Sequence, residues 1–510
     1  MKLLNQLLKN PFLLIFFLLS ISLRLFQITR DQLPIIDCDE EIYRSQIQRM
    51  INESDPTTNN FLAGGTNFTP LYLFIKPINS IFDLTENQNL VLMRFIFPTI
   101  LSSLTVFVVF ALGVQVSQSR LVGKISVVLY TFSPFVISQS QIFYPDSYTS
   151  FFGGLLLYKV IRYYKRQSNS LTLLSVLSCI AISTKYTLVF LCVTVVMSIV
   201  MRALEERCSI TDLLWRLFLY WTITVVTFLI WNYSALIKPI GFLYGFANNL
   251  AIYGQPSSFK AEVMLFYIMS MWLLPLGIAG IIAIPVGVKH VFKSRMNSRI
   301  LTLFFSPLIL LPIQLASGQQ VLFRSTNSVI SITVVLGGMG LALLWQGKSI
   351  LKRIISIVLI ALSAYQFLFF LGQNARLDSR EIAVSYLSQR GISNDVTIGT
   401  NFGCGYSSGL SEKFTVVDDP EMKLNLDIYA FDMYWKNTKF YQVYERNPWY
   451  TEFNPLYIQK YHGHSNIPQR FLYFSGFQRN FEGIVPSDYR LSILEGYGPD
   501  ILILIKRSFD

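Results

Sequence analysis

Long apolar runs separated by short charged clusters constrain this chain more than any other feature. The first fills most of Phe12 to Ile28, and similar runs recur to about residue 371. A run of about 20 apolar residues is the length that an α-helix needs to cross a membrane. Hydrophobic residues make up 52% of the 510 residues and charged residues only 14%, whereas a soluble domain carries about 25% charge. The sequence therefore predicts an α-helical integral membrane protein.

The apolar runs predict about eleven transmembrane helices. Besides the first, we expect spans at 90–116, 121–142, 147–161, 171–184, 187–201, 213–237, 263–288, 300–317, 325–346 and 350–371. Threading these spans alternately puts every basic cluster on one side, which is the cytoplasm by the positive-inside rule. The N-terminus is then predicted to be cytoplasmic and the C-terminus exoplasmic. The pair at 171–201 decides this topology, because merging its two short spans would reverse every later helix.

The formal net charge of +12 does not indicate nucleic-acid binding. Basic residues punctuate the apolar runs and form no stripe beside aromatic residues, as a nucleic-acid surface would require. The opposite turns are almost free of Lys and Arg, with Lys185, Lys238, Lys260 and Arg324 as exceptions. Membrane topology therefore explains the basic charge.

The composition becomes that of a soluble domain from about Asn374. Ser379 to Arg390 predicts an amphipathic helix, and apolar runs at 396–400, 413–417, 471–474 and 501–505 predict strands. We therefore expect a transmembrane bundle at 1–373, which includes a first outer loop at 30–89, and a small exoplasmic α/β domain at 374–510.

An acidic cluster opens the first outer loop. Asp37, Asp39, Glu40 and Glu41 place four carboxylates within five residues, directly behind the first span. Apolar residues from Glu40 to Ile51 recur at helical spacing, which predicts a short helix on the membrane surface. The alternative interpretation is a solvated loop helix.

Several short motifs follow one another in the order typical of one enzyme superfamily. They are Asp39-Glu40-x-x-Tyr43, Asn67 to Tyr72, Arg94-Phe95, Ser133-Pro134-Phe135, Tyr144-Pro145-Asp146-Ser147, Thr184-Lys185-Tyr186 and Phe323-Arg324. Together they resemble the GT-C membrane glycosyltransferases, especially bacterial and archaeal relatives of aminoarabinose transferase and protein O-mannosyltransferase. Two positions depart from the pattern, since Asn67 replaces a His and Ser325 replaces a Tyr, which leaves acceptor choice and lipid contacts open.

The resemblance implies a GT-C type bundle and a sugar donor carried on polyprenyl phosphate, with inversion at the sugar. It also implies that Tyr43 and Tyr186 contact substrate. Such a transfer needs a base for the acceptor's proton and positive charge for the departing phosphate. We expect Asp39 to be the base and Glu40 its neighbour, because repulsion between two close carboxylates favours a proton on one and ionisation of the other. Asp37 and Glu41 are the rival bases.

Three residues near other helix ends complete the candidate site. Asp146 is the second catalytic carboxylate that we expect, with a helix-capping acid as its alternative. Lys185 and Arg324 are cations in cation-poor outer turns, and both are expected to bind phosphate. Their alternative role is snorkelling at a helix end.

The predicted function is transfer of a sugar from a polyprenyl-phosphate carrier to a lipid, glycan or protein acceptor. We expect the site to lie at the outer face of a bacterial or archaeal plasma membrane. No metal or other cofactor is expected, since the three histidines form no ligand set. The alternatives are a carrier or flippase for lipid-linked sugars, a metal-dependent oligosaccharyltransferase-like enzyme and a structural membrane protein. A carrier would need ionisable groups near the middle of the bilayer.

Overall fold

The computed structural model describes residues 10–28, 38–55, 68–140, 143, 145–254, 261–293, 298–316, 323–374, 387, 396–400, 415–418, 428–432, 453–458 and 501–506. Its helices are α1 (Pro11–Ile28), α2 (Cys38–Asn52), α3 (Phe68–Phe82), α4 (Glu86–Arg94), α5 (Ser102–Ser117), α6 (Arg120–Thr131), α7 (Pro134–Gln139), α8 (Asp146–Tyr164), α9 (Leu171–Thr184), α10 (Phe190–Glu206), α11 (Ile210–Trp231), α12 (Tyr233–Ile237), α13 (Pro239–Gly254), α14 (Ala261–Leu276), α15 (Ile278–Lys293), α16 (Ser298–Ala316), α17 (Ile330–Gln346) and α18 (Ile350–Asn374). A π-helical segment, Phe95–Leu101, joins α4 to α5, and 3-10 turns at Tyr186–Val189 and Phe323–Val329 precede α10 and α17.

Within the part of the chain that the structure describes, five helical segments are long and apolar enough to cross a membrane. They are Gln88–Ser117, Ile210–Trp231, Ser298–Ala316, Ser325–Gln346 and Ile350–Leu368. Ser325–Gln346 is 89% buried inside the protein, whereas Ile210–Trp231 is only 11% buried. Ser325–Gln346 is therefore a central helix, whereas Ile210–Trp231 presents its apolar side chains to lipid. The chain is an integral membrane protein, and the count of eleven spans stays a prediction.

Three predicted spans are interrupted. The span at 121–142 breaks between α6 and α7, where Ser133 caps the new helix and Pro134 occupies its first turn. The span at 213–237 breaks at Asn232. The span at 263–288 breaks at Gly277, whose φ of +57° suits glycine and ends a regular helix. Each break follows from a local backbone preference that an apolar run does not reveal.

The glycine-rich segment of α17 packs closely against α15. A Cβ atom on Gly340 would lie 1.8 Å from the carbonyl oxygen of Ala283, and one on Gly287 would lie 2.1 Å from that of Leu336. The two helix backbones are therefore in direct contact, as small residues permit in membrane bundles.

We expect Gly340→Ala to destabilise the bundle by about 1–3 kcal/mol, because the added methyl group meets backbone that cannot move aside. The measurement is thermal unfolding of the purified protein in detergent. Gly347→Ala is the matched control, since its Cβ would meet the flexible Lys352 side chain at 2.8 Å. Equal melting temperatures for both variants would show that α15 and α17 are not in close contact.

The helices α8, α9 and α10 run back and forth between two ends of the bundle. Arg202 near the end of α10 donates to the carbonyl oxygens of Tyr163 at 3.0 Å and Ser168 at 3.3 Å, where α8 has ended and α9 is about to begin. Lys185, after α9, pairs with Asp146 at the start of α8. We call these the Arg202 end and the Asp146 end. The predicted spans at 171–184 and 187–201 are therefore separate, antiparallel helices.

Charged side chains tie the Arg202 end together. Arg202 Nε donates to Glu206 at 2.8 Å and Arg216 Nη1 donates to it at 2.7 Å. The hydrogen bond from Arg202, followed by that from Arg216, lowers the pKa of Glu206 to about 2, although partial burial acts in the opposite direction. Arg299 pairs with Glu205 at 2.6 Å. Arg202 and Arg299 belong to two different basic clusters that are predicted to be cytoplasmic, and these clusters thus meet at one end, whose side of the membrane stays a prediction.

A second apolar cluster lies in the first loop region. Tyr43, Ile47 and Met50 on α2 pack with Leu71, Tyr72 and Ile75 on α3, with Leu90 and Met93 on α4, and with Phe143. The predicted helix at 40–51 is present, and its apolar face packs against protein; its place on the membrane surface stays a prediction. Periodicity indicates that a face is buried without indicating what covers it.

The C-terminal part contributes strands β1 (Thr397–Thr400), β2 (Thr415–Asp418), β3 (Ile428–Asp432), β4 (Phe453–Ile458) and β5 (Ile501–Lys506). They form one sheet in the order β2-β1-β3-β5-β4, in which β1 is parallel to β2 and β3, and β5 is antiparallel to β3 and β4. Three strands overlap predicted ones, while the predicted strand at 471–474 and most of the helix at 379–390 lie outside the described residues. The α/β domain as a whole stays a prediction.

Candidate active site

Asp146 and Lys185 form a buried ion pair at the Asp146 end. Asp146 opens α8 and is 5% exposed, and its Oδ1 accepts from Lys185 Nζ. Lys185 follows α9 with an extended backbone, at φ −155° and ψ 128°, which ends the helix. Its Nζ also donates to Ser325 Oγ at 3.3 Å. Residues from three distant parts of the sequence therefore meet at one ammonium group.

Two hydrogen bonds join α8 to the start of α17 and to the turn before it. Asn327 Nδ2 donates to the backbone oxygen of Asp146. One turn deeper, Ser331 Oγ donates to the backbone oxygen of Ser150 at 3.1 Å. The approach is close, because a Cβ on Gly153 would lie 2.6 Å from the carbonyl oxygen of Ser328. The glycines of α8 thus fix the position of Asp146 against the central helix.

The first-loop helix lies beside this site. Tyr43 on α2 is 2% exposed, and its ring packs edge-on against Phe143, with 5.7 Å between centroids. Phe143 is three residues before Asp146 in the chain. Asp39 and Glu40 occupy the first turn of α2, about one helical turn before Tyr43. Acidic residues suit that position, because the N-terminus of a helix carries partial positive charge.

Tyr186 and Arg324 are the sequence neighbours of Lys185 and of Ser325, the two residues joined by the Nζ–Oγ hydrogen bond. Tyr186 begins the 3-10 turn after Lys185, and burial raises the pKa of its phenol. Arg324 is the second residue of the turn Phe323–Val329, directly before Ser325. The backbone of Arg324 is therefore beside the residue that accepts from Lys185. The structure thus brings Asp146, Lys185, Tyr186 and the Arg324 backbone to the Asp146 end.

Sequence reasoning missed several polar groups at this end. Asn327 is fully buried, and its Oδ1 has no hydrogen-bond partner within the described ranges. Its signal was a polar stretch, Ser325-Thr326-Asn327-Ser328, at the entrance of an otherwise apolar span. Arg24 is also fully buried and was visible as the single charge within α1.

The described residues contain no group of three or more His, Cys, Asp or Glu side chains arranged to hold a metal ion. The acidic side chains at 37–41 lie outside the described part of the chain. The absence of a metal site therefore stays a prediction.

The geometry defines a polytopic membrane protein with a charged site at one end of its helical bundle, beside a loop helix that begins with acids. Residues 38–242 match the family model of dolichyl-phosphate-mannose-protein mannosyltransferase. This region contains Asp39, Glu40, Asp146 and Lys185. No curated protein matches the chain.

Solved structures that are similar to most of the chain include three with a TM-score of 0.50. The oligosaccharyltransferase of Archaeoglobus fulgidus, in complex with Zn and sulfate, is 12% identical with a TM-score of 0.50, over 88% of this chain and 72% of its own. ArnT of Cupriavidus metallidurans bound to undecaprenyl phosphate is 11% identical with a TM-score of 0.50, over 82% of this chain and 92% of its own. The apo state of ArnT is 10% identical with the same score and coverage.

At such low identity these structures show the fold alone. Together with the family match, they confirm the resemblance that the ordered motifs indicate. The chain has the fold of the GT-C membrane glycosyltransferases, and its described helices form a transmembrane bundle similar to theirs.

Proposed function

We propose that this chain transfers a sugar from a polyprenyl-phosphate carrier to an acceptor at the outer face of a membrane, with inversion at the sugar. The observation that carries the proposal is the buried Asp146–Lys185 pair beside the helix that begins with Asp39 and Glu40. The pair supplies a cation for phosphate, and α2 carries the carboxylates that we propose for the acceptor; the family match includes both.

The proposed step is a single displacement. The acceptor's oxygen or nitrogen attacks the anomeric carbon, its proton passes to Asp39, and the bond from that carbon to the phosphate oxygen breaks. Polyprenyl phosphate leaves with the bonding electrons, and Lys185 and Arg324 stabilise its charge. Glu40 influences the ionisation of Asp39, and Asp146 holds Lys185 in place. Tyr43 and Tyr186 line the site.

The donor class is supported by ArnT, whose similar fold is solved with undecaprenyl phosphate. We extend this ligand class to the present chain as part of the proposal. The proposed orientation places the Asp146 end and residues 374–510 outside the cell and the Arg202 end in the cytoplasm, because basic residues of several clusters meet at the Arg202 end.

The test is to incubate the purified full chain with a panel of radiolabelled polyprenyl-phosphate sugars and membrane glycolipid, glycan and peptide acceptors. We expect release of polyprenyl phosphate, with transfer of label, from at least one donor, with and without EDTA. Binding without release would favour a carrier or flippase. Activity lost in EDTA and restored by Mg²⁺ or Mn²⁺ would favour a metal-dependent enzyme, and absence of binding would contradict the proposal.

A further inference from the structure

Arg24 is a buried cation that the proposed reaction leaves unexplained. It is fully buried in α1. Its Nε donates to Ser102 Oγ at 3.1 Å, its Nη1 donates to the backbone oxygen of Ser20 at 2.9 Å and to the Ser20 hydroxyl, and its guanidinium lies 5.7 Å from the centre of the Tyr130 ring. Among the described residues, its Nη2 has no hydrogen-bond partner.

No carboxylate of the described residues pairs with Arg24. Its hydrogen-bond partners are serine oxygens, which a neutral side chain would satisfy without the cost of burying a charge. Three further hydroxyl groups, those of Thr99, Ser103 and Thr131, are buried and have no partner in the part of the chain that the structure describes. Thr99 and Ser103 precede and follow Ser102 on the same helical segment, and Thr131 follows Tyr130. An ionised group retained inside a membrane bundle under these conditions is a functional candidate.

Hydrogen bonds connect Arg24 to the Asp146 end. Tyr130 Oη donates to the backbone oxygen of Ser102 at 2.9 Å and lies 3.2 Å from Ser150 Oγ. Ser150 is one helical turn, about 5.4 Å, from Asp146 on α8. Arg24 is therefore in the layer of side chains just beneath the ion pair.

The ion pair and the layer of Arg24 beneath it differ in charge balance. Asp146 offsets the charge of Lys185, whereas the charge of Arg24 stays uncompensated among the described residues. We infer that Arg24 is a positioning residue whose unbalanced charge attracts the phosphate headgroup of a polyprenyl phosphate to the Asp146 end without contacting it. This inference rests on the proposed function, because it concerns the donor of that reaction.

The test compares Arg24→Gln, which removes the charge, with Arg24→Lys, which keeps it, in the purified full chain. The probe is undecaprenyl phosphate, with uncharged undecaprenol as its control ligand. We expect Arg24→Gln to weaken undecaprenyl phosphate binding about tenfold, as expected for one charge acting over about 10 Å at an effective dielectric of about 20. Undecaprenol binding should not change, and Arg24→Lys should stay within about threefold of the wild type.

Thermal stability separates this role from a structural one. If the charge is retained for binding, Arg24→Gln should melt at or above the wild-type temperature, because a buried unpaired charge is removed. An arginine that only supports the fold would give the opposite result, with Gln and Lys variants both less stable. Arg353→Gln, an exposed arginine beyond the other end of α17, is the matched control and should change neither quantity.

Unchanged undecaprenyl phosphate binding in Arg24→Gln overturns the inference, and so does equal loss of binding in the Gln and Lys variants. If Arg24→Gln does not fold, weakened undecaprenyl phosphate binding by folded Arg24→Lys likewise overturns the inference. Displacement of the lipid by equimolar inorganic phosphate would overturn the assignment to a lipid headgroup, and resistance to it supports that assignment. Wild-type protein that binds no undecaprenyl phosphate would instead reject the proposed function itself.

Discussion

Asp39→Asn should slow sugar transfer by about 10²- to 10⁴-fold at saturating donor, which is the usual contribution of a general base. The asparagine keeps the size of the side chain and its place in the first turn of α2 but cannot accept the acceptor's proton. Donor binding and melting temperature should therefore change little. The measurement is the initial rate of label transfer, with donor affinity determined separately.

Two variants give this prediction its comparison. Glu40→Gln should cost less than Asp39→Asn, because glutamine still accepts a hydrogen bond. Glu53→Gln is the matched control, since this exposed carboxylate lies just after the end of α2 and pairs only with Arg49, at 2.7 Å, among its described partners. A nearly normal rate for Asp39→Asn beside an inactive Glu40→Gln or Asp146→Asn would place the base elsewhere.

Lys185→Met and Asp146→Asn should each destabilise the protein strongly, by about 3–5 kcal/mol, because each leaves a buried charge without its partner. The double variant Asp146→Asn/Lys185→Met removes both charges and should recover most of that loss. Thermal unfolding of the four proteins measures the coupling. Lys238→Met is the matched control, since Lys238 pairs with Asp55 at 3.8 Å where both are about one-third exposed, and such pairs contribute little.

Activity should follow a different order from stability. The double variant should be folded but should bind the donor poorly, because Lys185 no longer meets the phosphate. A double variant with wild-type turnover would exclude Lys185 from the site. A double variant whose loss of stability equals the sum of the two single losses would show that the pair itself contributes nothing.

Apolar length and charge placement were enough to predict a helical membrane bundle, because both are set by the bilayer. They did not predict where helices break. Gly277 resembles any other small residue in a membrane span, and only its positive φ in the folded chain marks the bend. The glycines of α17 pack closely against α15, as clustered small residues commonly do inside a span.

Individual charged residues stand out in the sequence more readily than their partnerships do. Asp146 and Lys185 each stood out as a charge beside apolar runs, yet 39 positions separate them and no local pattern pairs them. Asn327 was missed because an amide at a helix entrance resembles a cap. The side chains of Asp39, Glu40 and Arg324 are not among those described, so their roles stay predictions.

The apolar stripe on α2 illustrates a general ambiguity in membrane sequences. Lipid and protein interiors are both apolar, so helical periodicity alone cannot distinguish a helix lying on a bilayer from one packed under a neighbouring loop. Here α3 and Phe143 cover the stripe of α2. Meanwhile Leu73, Phe74, Ile81 and Phe82 of α3 are exposed.

The short turn between α9 and α10 sets the direction of more than half the chain. A continuous helix through residues 185–189 would remove one reversal, and every later segment would then cross in the opposite sense. Lys185 ends α9 with its extended backbone and binds Asp146 with its side chain. Lys185 thus affects both the direction in which the later helices cross the membrane and the proposed chemistry of the site. An insertion or deletion at this turn would therefore alter the two together.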